Sequence, residues 1–161
     1  MIYFERITEN TLENALIIIN SNSVYNILES GIPSRDIYEI KEQFLNQTTD
    51  SFLIKTEDQY IGLIDFMKNN PKDNCPWLGL LMIHGDFHFK GYGKTIYQSF
   101  EDKFLSEKFQ KIRIGIIKEN DQAKRFWTAL GFEVYDQNPW EGKIVDCLEK
   151  HIHAKGVKAI E

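Results

Sequence analysis

The sequence predicts one α/β domain built around a single mixed β-sheet. Strand-like and helix-like segments alternate along its 161 residues, with neither an internal repeat nor a low-complexity tract. The run from Trp77 to Ile83 is almost wholly apolar, which is typical of a strand at the centre of a sheet. A glycine-bearing loop follows this run, and the next segment carries the apolar stripe of a helix at every fourth position: Tyr92, Ile96, Phe100 and Phe104.

Apolar periodicity and turn residues place the other elements. Strands are predicted at residues 2–7, 52–55, 60–66, 77–83, 112–117, 132–135 and 144–148. Helices are predicted at residues 11–21, 34–46, from 91 onward and at 120–130, with Ser34 capping the second and Gly131 ending the last. We interpret residues 69–74 as a polar, flap-like loop rather than a tight turn. The domain then spans residues 1–150, and residues 151–161 form a polar tail.

Composition and charge argue against several classes of protein. An apolar fraction of 42% and an aromatic fraction of 13% predict a globular chain with a core. The net charge of -5 argues against a general nucleic-acid binder. Cys75 and Cys147 form no C-x-x-C pair, so we expect free thiols in a reducing compartment and no metal site. Neither a signal-peptide core nor a membrane-spanning apolar run is evident, so a cytoplasmic protein without a membrane partner is expected.

The segment Gly91-Tyr92-Gly93-Lys94 stands where a strand enters a loop and a helix leaves it. This geometry aims backbone N–H groups and the positive end of a helix dipole at one point, which suits a phosphate group. A Rossmann fingerprint would need glycine in place of Ile96, and a Walker A loop would need glycine in place of His88. A P-loop fold would also need several parallel strands after the loop, and only one strongly buried strand follows.

Two segments resemble the GNAT superfamily of acyl-CoA-dependent N-acyltransferases. Residues 83–93 resemble its signature (arginine or glutamine, two residues, glycine, one residue, glycine or alanine), with His88 in the first place. Residues 120–132 resemble the later element, in which asparagine and alanine lead to an aromatic pair and Leu-Gly-Phe. The resemblance implies a largely antiparallel sheet with helices on both faces and splayed central strands. It also implies acetyl-CoA as the acyl donor, an amine acceptor and a homodimer as a common assembly.

The resemblance further implies which residues contact coenzyme A. The loop amides from Phe89 to Lys94 hold the diphosphate mainly through the backbone, so His88 is a tolerable departure from the signature. Lys90 and Lys94 either add charge or are solvated. Asn120 either reaches the pantetheine arm or the loop backbone, or caps the following helix. The implied contacts are Ile83, His88, Phe89, Lys90, Gly91, Tyr92, Gly93, Lys94, Asn120, Ala123, Phe126 and Trp127.

Acetyl transfer to an amine needs a donor for the oxyanion and a base for the amine. The resemblance implies that a backbone N–H of the central strand donates to the oxyanion, here the N–H of Met82 or Ile83. His84 is the candidate base, because an imidazole titrates near neutrality; a non-catalytic His84 and a chain of waters are the alternatives. Asp86 is interpreted as a loop-stabilising residue. Asp65 either points into the acceptor cleft or is a solvated strand end.

The leaving thiolate also needs a proton. Trp127 stands where the family often has a tyrosine for this role, and an indole N–H is too weak an acid to replace it. We therefore expect Trp127 to pack beside the pantetheine arm, and leave water, Tyr97 and Tyr135 open as proton donors. Candidate borders of the acceptor pocket are Tyr25, Arg35, Tyr38, Trp77 and the loop 68–74.

The sequence thus predicts an N-acetyltransferase that moves an acetyl group from acetyl-CoA to a primary amine. Transfer is expected to be direct, in a ternary complex, because no cysteine or serine stands beside a clear activating base. A catalytically inactive sensor or structural module that binds CoA or acyl-CoA is the alternative. A longer acyl donor is a third hypothesis.

Overall fold

The computed structural model describes residues 1–153 and confirms the predicted fold class. Seven strands form one sheet: β1 (Ile2–Arg6), β2 (Asp50–Thr56), β3 (Gln59–Asn70), β4 (Cys75–Ile83), β5 (Lys111–Ile117), β6 (Glu133–Trp140) and β7 (Lys143–His151). Five α-helices accompany them in the described residues: α1 (Leu12–Asn20), α2 (Ser23–Ser30), α3 (Ile37–Phe44), α4 (Tyr92–Phe100) and α5 (Asp121–Ala129). The predicted tail, 151–161, lies outside the described residues from position 154 onward, and His151 belongs to β7.

The sheet is mostly antiparallel, with the strand order β1-β2-β3-β4-β5-β7-β6. β1 and β2, β2 and β3, β5 and β7, and β6 and β7 pair antiparallel. β4 and β5 run parallel, with Trp77 opposite Arg113. Every predicted strand is present, and β3 and β6 are longer than predicted.

The chain forms two compact units. The first holds residues 1–68 and 78–96, and the second holds residues 69–77 and the chain from Tyr97 onward. In the first unit α1 packs through Leu12, Ala15, Ile18 and Ile19, and Leu16 is partly buried against the same core. The buried core of this unit consists of Ile7, Leu12, Ala15, Ile18, Ile19, Ile40, Phe44, Leu53, Leu63 and Met82.

Helix α2 is a feature that the sequence pattern did not predict. Two residues separate it from α1, and it is only eight residues long, so it carries too few turns for a clear apolar stripe. Gly31 ends it with a φ of 81°, and its N–H donates to the Ile27 carbonyl. Asn26 is buried and donates to the carbonyls of Ile19 and Pro33, which fixes α2 against its neighbouring segments.

The predicted cap of α3 is wrong. The helix begins at Ile37, and its cap is Asp36 rather than Ser34. The carboxylate of Asp36 accepts the Glu39 N–H at 3.0 Å, and the Glu39 carboxylate accepts the Asp36 N–H at 3.4 Å. This reciprocal pair satisfies two otherwise unpaired donors, which a serine two residues earlier does not do.

The predicted flap at residues 69–74 is also wrong. β3 continues to Asn70 and β4 begins at Cys75, so only four residues connect the two strands. The Asn74 N–H donates to the Asn70 carbonyl at 2.8 Å, and Asn74 adopts a left-handed φ of 53°. Cys75 is therefore a buried residue of β4.

Aromatic side chains form the core of the second unit. Tyr97, Trp127 and Phe132 are buried and pack edge to face, with ring centroids 5.2 to 5.6 Å apart. Phe100 is fully buried beside Tyr97, as its place in the predicted stripe requires. A π-helical turn, Glu101–Leu105, continues α4, and its Glu101 pairs with Lys150 of β7 at 2.7 Å.

Arg113 of β5 organises a polar cluster in the same unit. Its guanidinium donates to Asp73 at 2.7 Å and to Glu149 at 3.0 Å. The indole N–H of Trp77 also donates to Asp73, at 2.9 Å. Burial by itself raises the pKa of the Asp73 carboxyl, but the hydrogen bonds from Arg113 and Trp77 outweigh burial and lower the pKa below its ordinary value.

Because the folded state lowers the pKa of Asp73, this carboxylate stabilises the fold above the unfolded pKa of about 3.9, and the stabilisation is lost as the pH falls through the lowered pKa. We expect Asp73→Asn to lower the free energy of unfolding by about 1–2 kcal/mol at neutral pH. The difference from the wild type should shrink below pH 4, which urea denaturation at several pH values measures. Asp58→Asn, at an exposed turn residue, is the control and should change little.

Candidate active site

The loop between β4 and α4 has the backbone geometry expected of a phosphate site. After β4 ends at Ile83, a short 3₁₀ turn spans Gly85–Phe87, and α4 begins at Tyr92. Phe89 and Gly91 adopt left-handed φ values of 62° and 82°. A Cβ at Gly91 would meet no heavy atom within 4 Å, so the loop backbone is open to solvent there. Alternating left-handed residues ahead of a helix N-terminus turn successive N–H groups toward one side, which favours an anion.

His88, the departure from the family signature, lies against the strand end rather than in open solvent. Its Nε2 is 2.8 Å from the Ile83 carbonyl oxygen. The side-chain amide of Asn22 donates to the same oxygen at 3.0 Å. The ring therefore braces the loop by connecting it to the last residue of β4, a role that needs no contact with a ligand.

Two residues at the junction of α1 and α2 also support this loop, and the sequence did not identify them. The Gly85 N–H donates to the Ser21 hydroxyl at 2.9 Å, and Asn22 donates to the Ile83 carbonyl. The two residues of the first pair are 64 positions apart in the chain and those of the second pair are 61 apart, so no local sequence pattern indicates either contact. They connect the start of the loop to the N-terminal helices of the same unit.

His84 has a structural role in the turn. Its Nδ1 accepts the Asp86 N–H at 3.0 Å, and its own backbone N–H donates to the Ile61 carbonyl. His84, rather than Asp86, therefore caps this turn, whereas the Asp86 side chain is exposed. Because Nδ1 accepts that hydrogen bond, the neutral ring carries its N–H on Nε2 and has no free lone pair with which to take a proton from an amine.

The strand end with Met82 and Ile83 is packed tightly. Met82 belongs to the buried core of the first unit, and its carbonyl oxygen would lie 2.6 Å from a Cβ at Gly62. Only glycine permits such a close approach of the two strands. The carbonyl oxygen of Met82 therefore fixes glycine as the residue at position 62 of the neighbouring strand.

Asp65 lies in the middle of β3 and is buried, so the interpretation as a solvated strand end is wrong. Its Oδ1 accepts the Ser51 hydroxyl at 2.6 Å. Burial is the largest influence on this carboxyl and raises its pKa above the ordinary value, against the opposing hydrogen bonds from Ser51 and Thr49.

The second unit holds the other implied contacts. Asn120 caps α5, and its Oδ1 accepts the Ala123 N–H at 3.1 Å, so the capping alternative is confirmed. The ring centroids of Phe126 and Trp127 lie 4.9 Å apart, and Trp127 is buried whereas Phe126 is half-buried. Packing is thus the observed role of the tryptophan.

The two candidate tyrosine acids occupy different environments. Tyr97 is 0% exposed, and its hydroxyl donates to the Glu101 carboxylate. Burial is the main cause that raises the pKa of this phenol far above its ordinary value, and the negative charge of Glu101 raises it further. Tyr135 is partly exposed, with the Arg113 guanidinium 4.3 Å from its ring centre. Burial raises the pKa of Tyr135 to about 12, although Arg113 lowers it. Neither phenol is tuned to release a proton near neutral pH.

The candidate borders of the acceptor pocket have different surroundings within each unit. Tyr25 is half-buried. Burial is the main cause that raises the pKa of its phenol, and the Glu29 carboxylate raises it further. Arg35 lies against Glu39 and Gln43 of α3, and Tyr38 is mostly exposed. Trp77 belongs to the second unit, where Asp73 holds its indole N–H.

The mixed sheet with one parallel pair, and the left-handed loop leading from a central strand into a helix, agree with the fold that the sequence resemblance implied. The family model described as "Acetyltransferase (GNAT) family" matches residues 21–132. The chain therefore belongs to the GNAT acetyltransferase family and is an acyltransferase. No curated protein matches the sequence.

Solved structures share the fold at low sequence identity. An acetyltransferase from Thermus thermophilus is 16% identical with a TM-score of 0.76, covering 94% of this chain and 97% of its own. The ribosomal-protein-S18-alanine N-acetyltransferase from Escherichia coli is 11% identical with a TM-score of 0.73, covering 100% of both chains. A spermidine N-acetyltransferase chimera from Vibrio cholerae is 16% identical with a TM-score of 0.69, covering 93% of this chain and 94% of its own. At these identities the likeness shows the fold.

Two features are absent from the described part of the chain. No helix within residues 1–153 combines the length and hydropathy that crossing a bilayer requires. In the same residues, no group of three or more His, Cys, Asp or Glu side chains is arranged to hold a metal ion.

Proposed function

We propose that this protein transfers the acetyl group of acetyl-CoA to a primary amine, by direct attack within a ternary complex. The observation that carries the proposal is the open loop from His88 to Lys94, with left-handed Phe89 and Gly91 leading into α4. Its N–H groups and the helix dipole would bind the diphosphate of the donor. Lys90 and Lys94 are exposed and would add positive charge.

The thioester would lie at the end of β4. The backbone N–H of Met82 or Ile83 would donate to its carbonyl oxygen and stabilise the oxyanion that forms on attack. The pantetheine arm would run beside β4, with Ile83 as a contact. The contacts proposed in the second unit are Asn120, Ala123, Phe126 and Trp127.

The amine attacks with its lone pair, forming the new C–N bond and a tetrahedral intermediate. Collapse of the intermediate breaks the C–S bond and expels the CoA thiolate. The nitrogen loses a proton to water or a polar group, and the thiolate gains one from water, because a thiolate is a good leaving group. The products are an acetamide and free coenzyme A.

Two measurements test this proposal. Calorimetry should detect binding of acetyl-CoA to the intact protein, and a panel of primary amines should elicit release of the CoA thiol. Absence of binding to both CoA and acetyl-CoA would exclude the proposed donor site. Acetyl-CoA carrying a radiolabel in its acetyl group should leave no stable label on the protein, and a labelled protein would contradict direct transfer.

His84→Ala tests whether the imidazole is the base. Because Nδ1 of His84 is engaged as the cap of the turn, we expect activity at neutral pH to fall by no more than about tenfold, less than the loss of a general base gives. The pH profile of kcat/KM should keep its shape. A loss of several hundredfold, with the acidic limb abolished, would instead assign the base to His84.

A further inference from the structure

Asp65 is a buried acidic side chain that the proposed mechanism does not use. It is 7% exposed, and its Oδ1 accepts a hydrogen bond from Ser51. The neighbouring cations Arg6 and Lys68 pair with Asp50 instead, and none of the ion pairs within residues 1–153 involves Asp65. A buried carboxylate without a cationic partner is unfavourable, so a bound cation would be stabilised there.

Gly79 of β4 places only exposed backbone, and no side chain, beside this carboxylate. Gly79 is exposed, and a Cβ built on it would lie 3.3 Å from Oδ2 of Asp65. The backbone oxygen of Asp65, at 3.6 Å, is the other heavy atom near that position. Oδ2 therefore borders an opening that any other residue at position 79 would fill. We call this opening the Gly79 notch.

The charge of the first unit favours a cationic ligand. Residues 1–68 and 78–96 contain twelve Asp and Glu but only seven Lys and Arg, so this unit carries the whole net charge of the chain. A negative field of this kind raises the local concentration of cations.

We propose that Asp65, at the Gly79 notch, binds a second cationic group of the amine acceptor. This inference rests on the proposed function, in which the thioester carbonyl meets the N–H of Met82 or Ile83. Those residues are three and four positions beyond Gly79, a distance of about 10–13 Å along an extended strand. The acceptor class is therefore a diamine or polyamine whose second ammonium lies about 10 Å from the nitrogen that is acetylated.

The charged groups around Asp65 agree with this role. Burial and the nearby Asp50 both raise the pKa of the Asp65 carboxyl, whereas hydrogen bonds from Ser51 and Thr49 lower it. An ammonium group in the notch favours the ionised carboxylate, so binding of a cation should lower this pKa.

The first experiment reads the site without turnover. The isotopically labelled carboxyl carbon of Asp65 is titrated with pH by NMR in the intact protein without CoA, once in ethylammonium chloride and once in sodium chloride at equal ionic strength. Ethylammonium should shift the titration of Asp65 to lower pH, and Gly79→Ala should abolish that shift. Identical titration curves in the two salts would overturn the proposal.

The second experiment tests the spacing. CoA release is measured with α,ω-diamines from diaminopropane to diaminooctane, each against the amino alcohol of equal length. In the wild type we expect the longer diamines to exceed their amino alcohols about tenfold in kcat/KM, the value of one charge-assisted hydrogen bond. Asp65→Asn and Gly79→Ala should each remove that preference, and Asp58→Asn, an exposed acid of the same unit, should retain it.

The outcomes separate this inference from the proposed function. Equal use of diamines and amino alcohols by the wild type, or an unchanged preference in Asp65→Asn, would overturn the notch as an ammonium site while leaving acetyl transfer intact. Failure to bind acetyl-CoA would remove the proposed function, and the ethylammonium titration would still decide whether the notch binds a cation.

Discussion

Gly91→Val is expected to weaken acetyl-CoA binding by about 100-fold while the fold persists. Gly91 has a φ of 82°, in the left-handed region that a β-branched residue avoids. Valine would force the loop out of this conformation and turn away the N–H groups that we propose bind the diphosphate. Losing one or two charge-assisted hydrogen bonds of about 1.5–3 kcal/mol each accounts for the expected loss of affinity.

The chain offers a matched control in Gly142, between β6 and β7. Its φ is 77°, and like Gly91 it has no heavy atom within 4 Å of a built Cβ. Gly142→Val therefore introduces the same backbone strain, of about 1–3 kcal/mol, at a turn without a proposed ligand. Calorimetry should give wild-type affinity for this control. Equal affinities for both variants would show that the loop before α4 does not hold the donor.

Phe132→Ala is expected to lower the free energy of unfolding by about 3–5 kcal/mol. Phe132 is 2% exposed and packs edge to face against both Tyr97 and Trp127. Its removal leaves a cavity among rigid rings that are poorly placed to collapse into it, so the loss exceeds the transfer free energy of the side chain alone.

Urea denaturation followed by circular dichroism measures this change. Phe89→Ala is the control, because Phe89 is 92% exposed, and we expect a difference of less than about 0.5 kcal/mol there. A loss below about 1 kcal/mol for Phe132→Ala would mean that the aromatic cluster is not a close-packed core.

The fold was predictable because its strong elements carry local signals. The apolar run that became β4, the four-residue stripe of α4 and the Asn120 cap of α5 each depend on residues close together in the chain. Errors occurred where local signals were weak or competed. α2 is too short to show the apolar periodicity of a helix. Asp36, and not the predicted Ser34, caps α3, because its reciprocal hydrogen bonds with Glu39 satisfy two backbone donors.

The site was predictable only in its backbone. Gly91 identified the loop before α4, since a left-handed glycine ahead of a helix leaves a sequence signature, whereas the left-handed Phe89 left none. The contact of Asn22 with Ile83 was not predictable, because these two residues meet through tertiary packing across 61 positions of the chain. The Gly79 notch likewise depends on the neighbouring strand, so a lone glycine in a strand pattern gave no indication of the acid beside it.

The burial of Cys75 and Cys147, which are 2% and 4% exposed, has a practical consequence for enzymology. These are the two cysteines of the chain, and burial raises the pKa of the Cys75 thiol. A chromogenic disulfide reagent should therefore react rapidly with liberated coenzyme A and only slowly with the native enzyme. The same reagent would titrate two additional sulfhydryls per chain once the protein denatures, giving an internal gauge of intact enzyme during a kinetic assay.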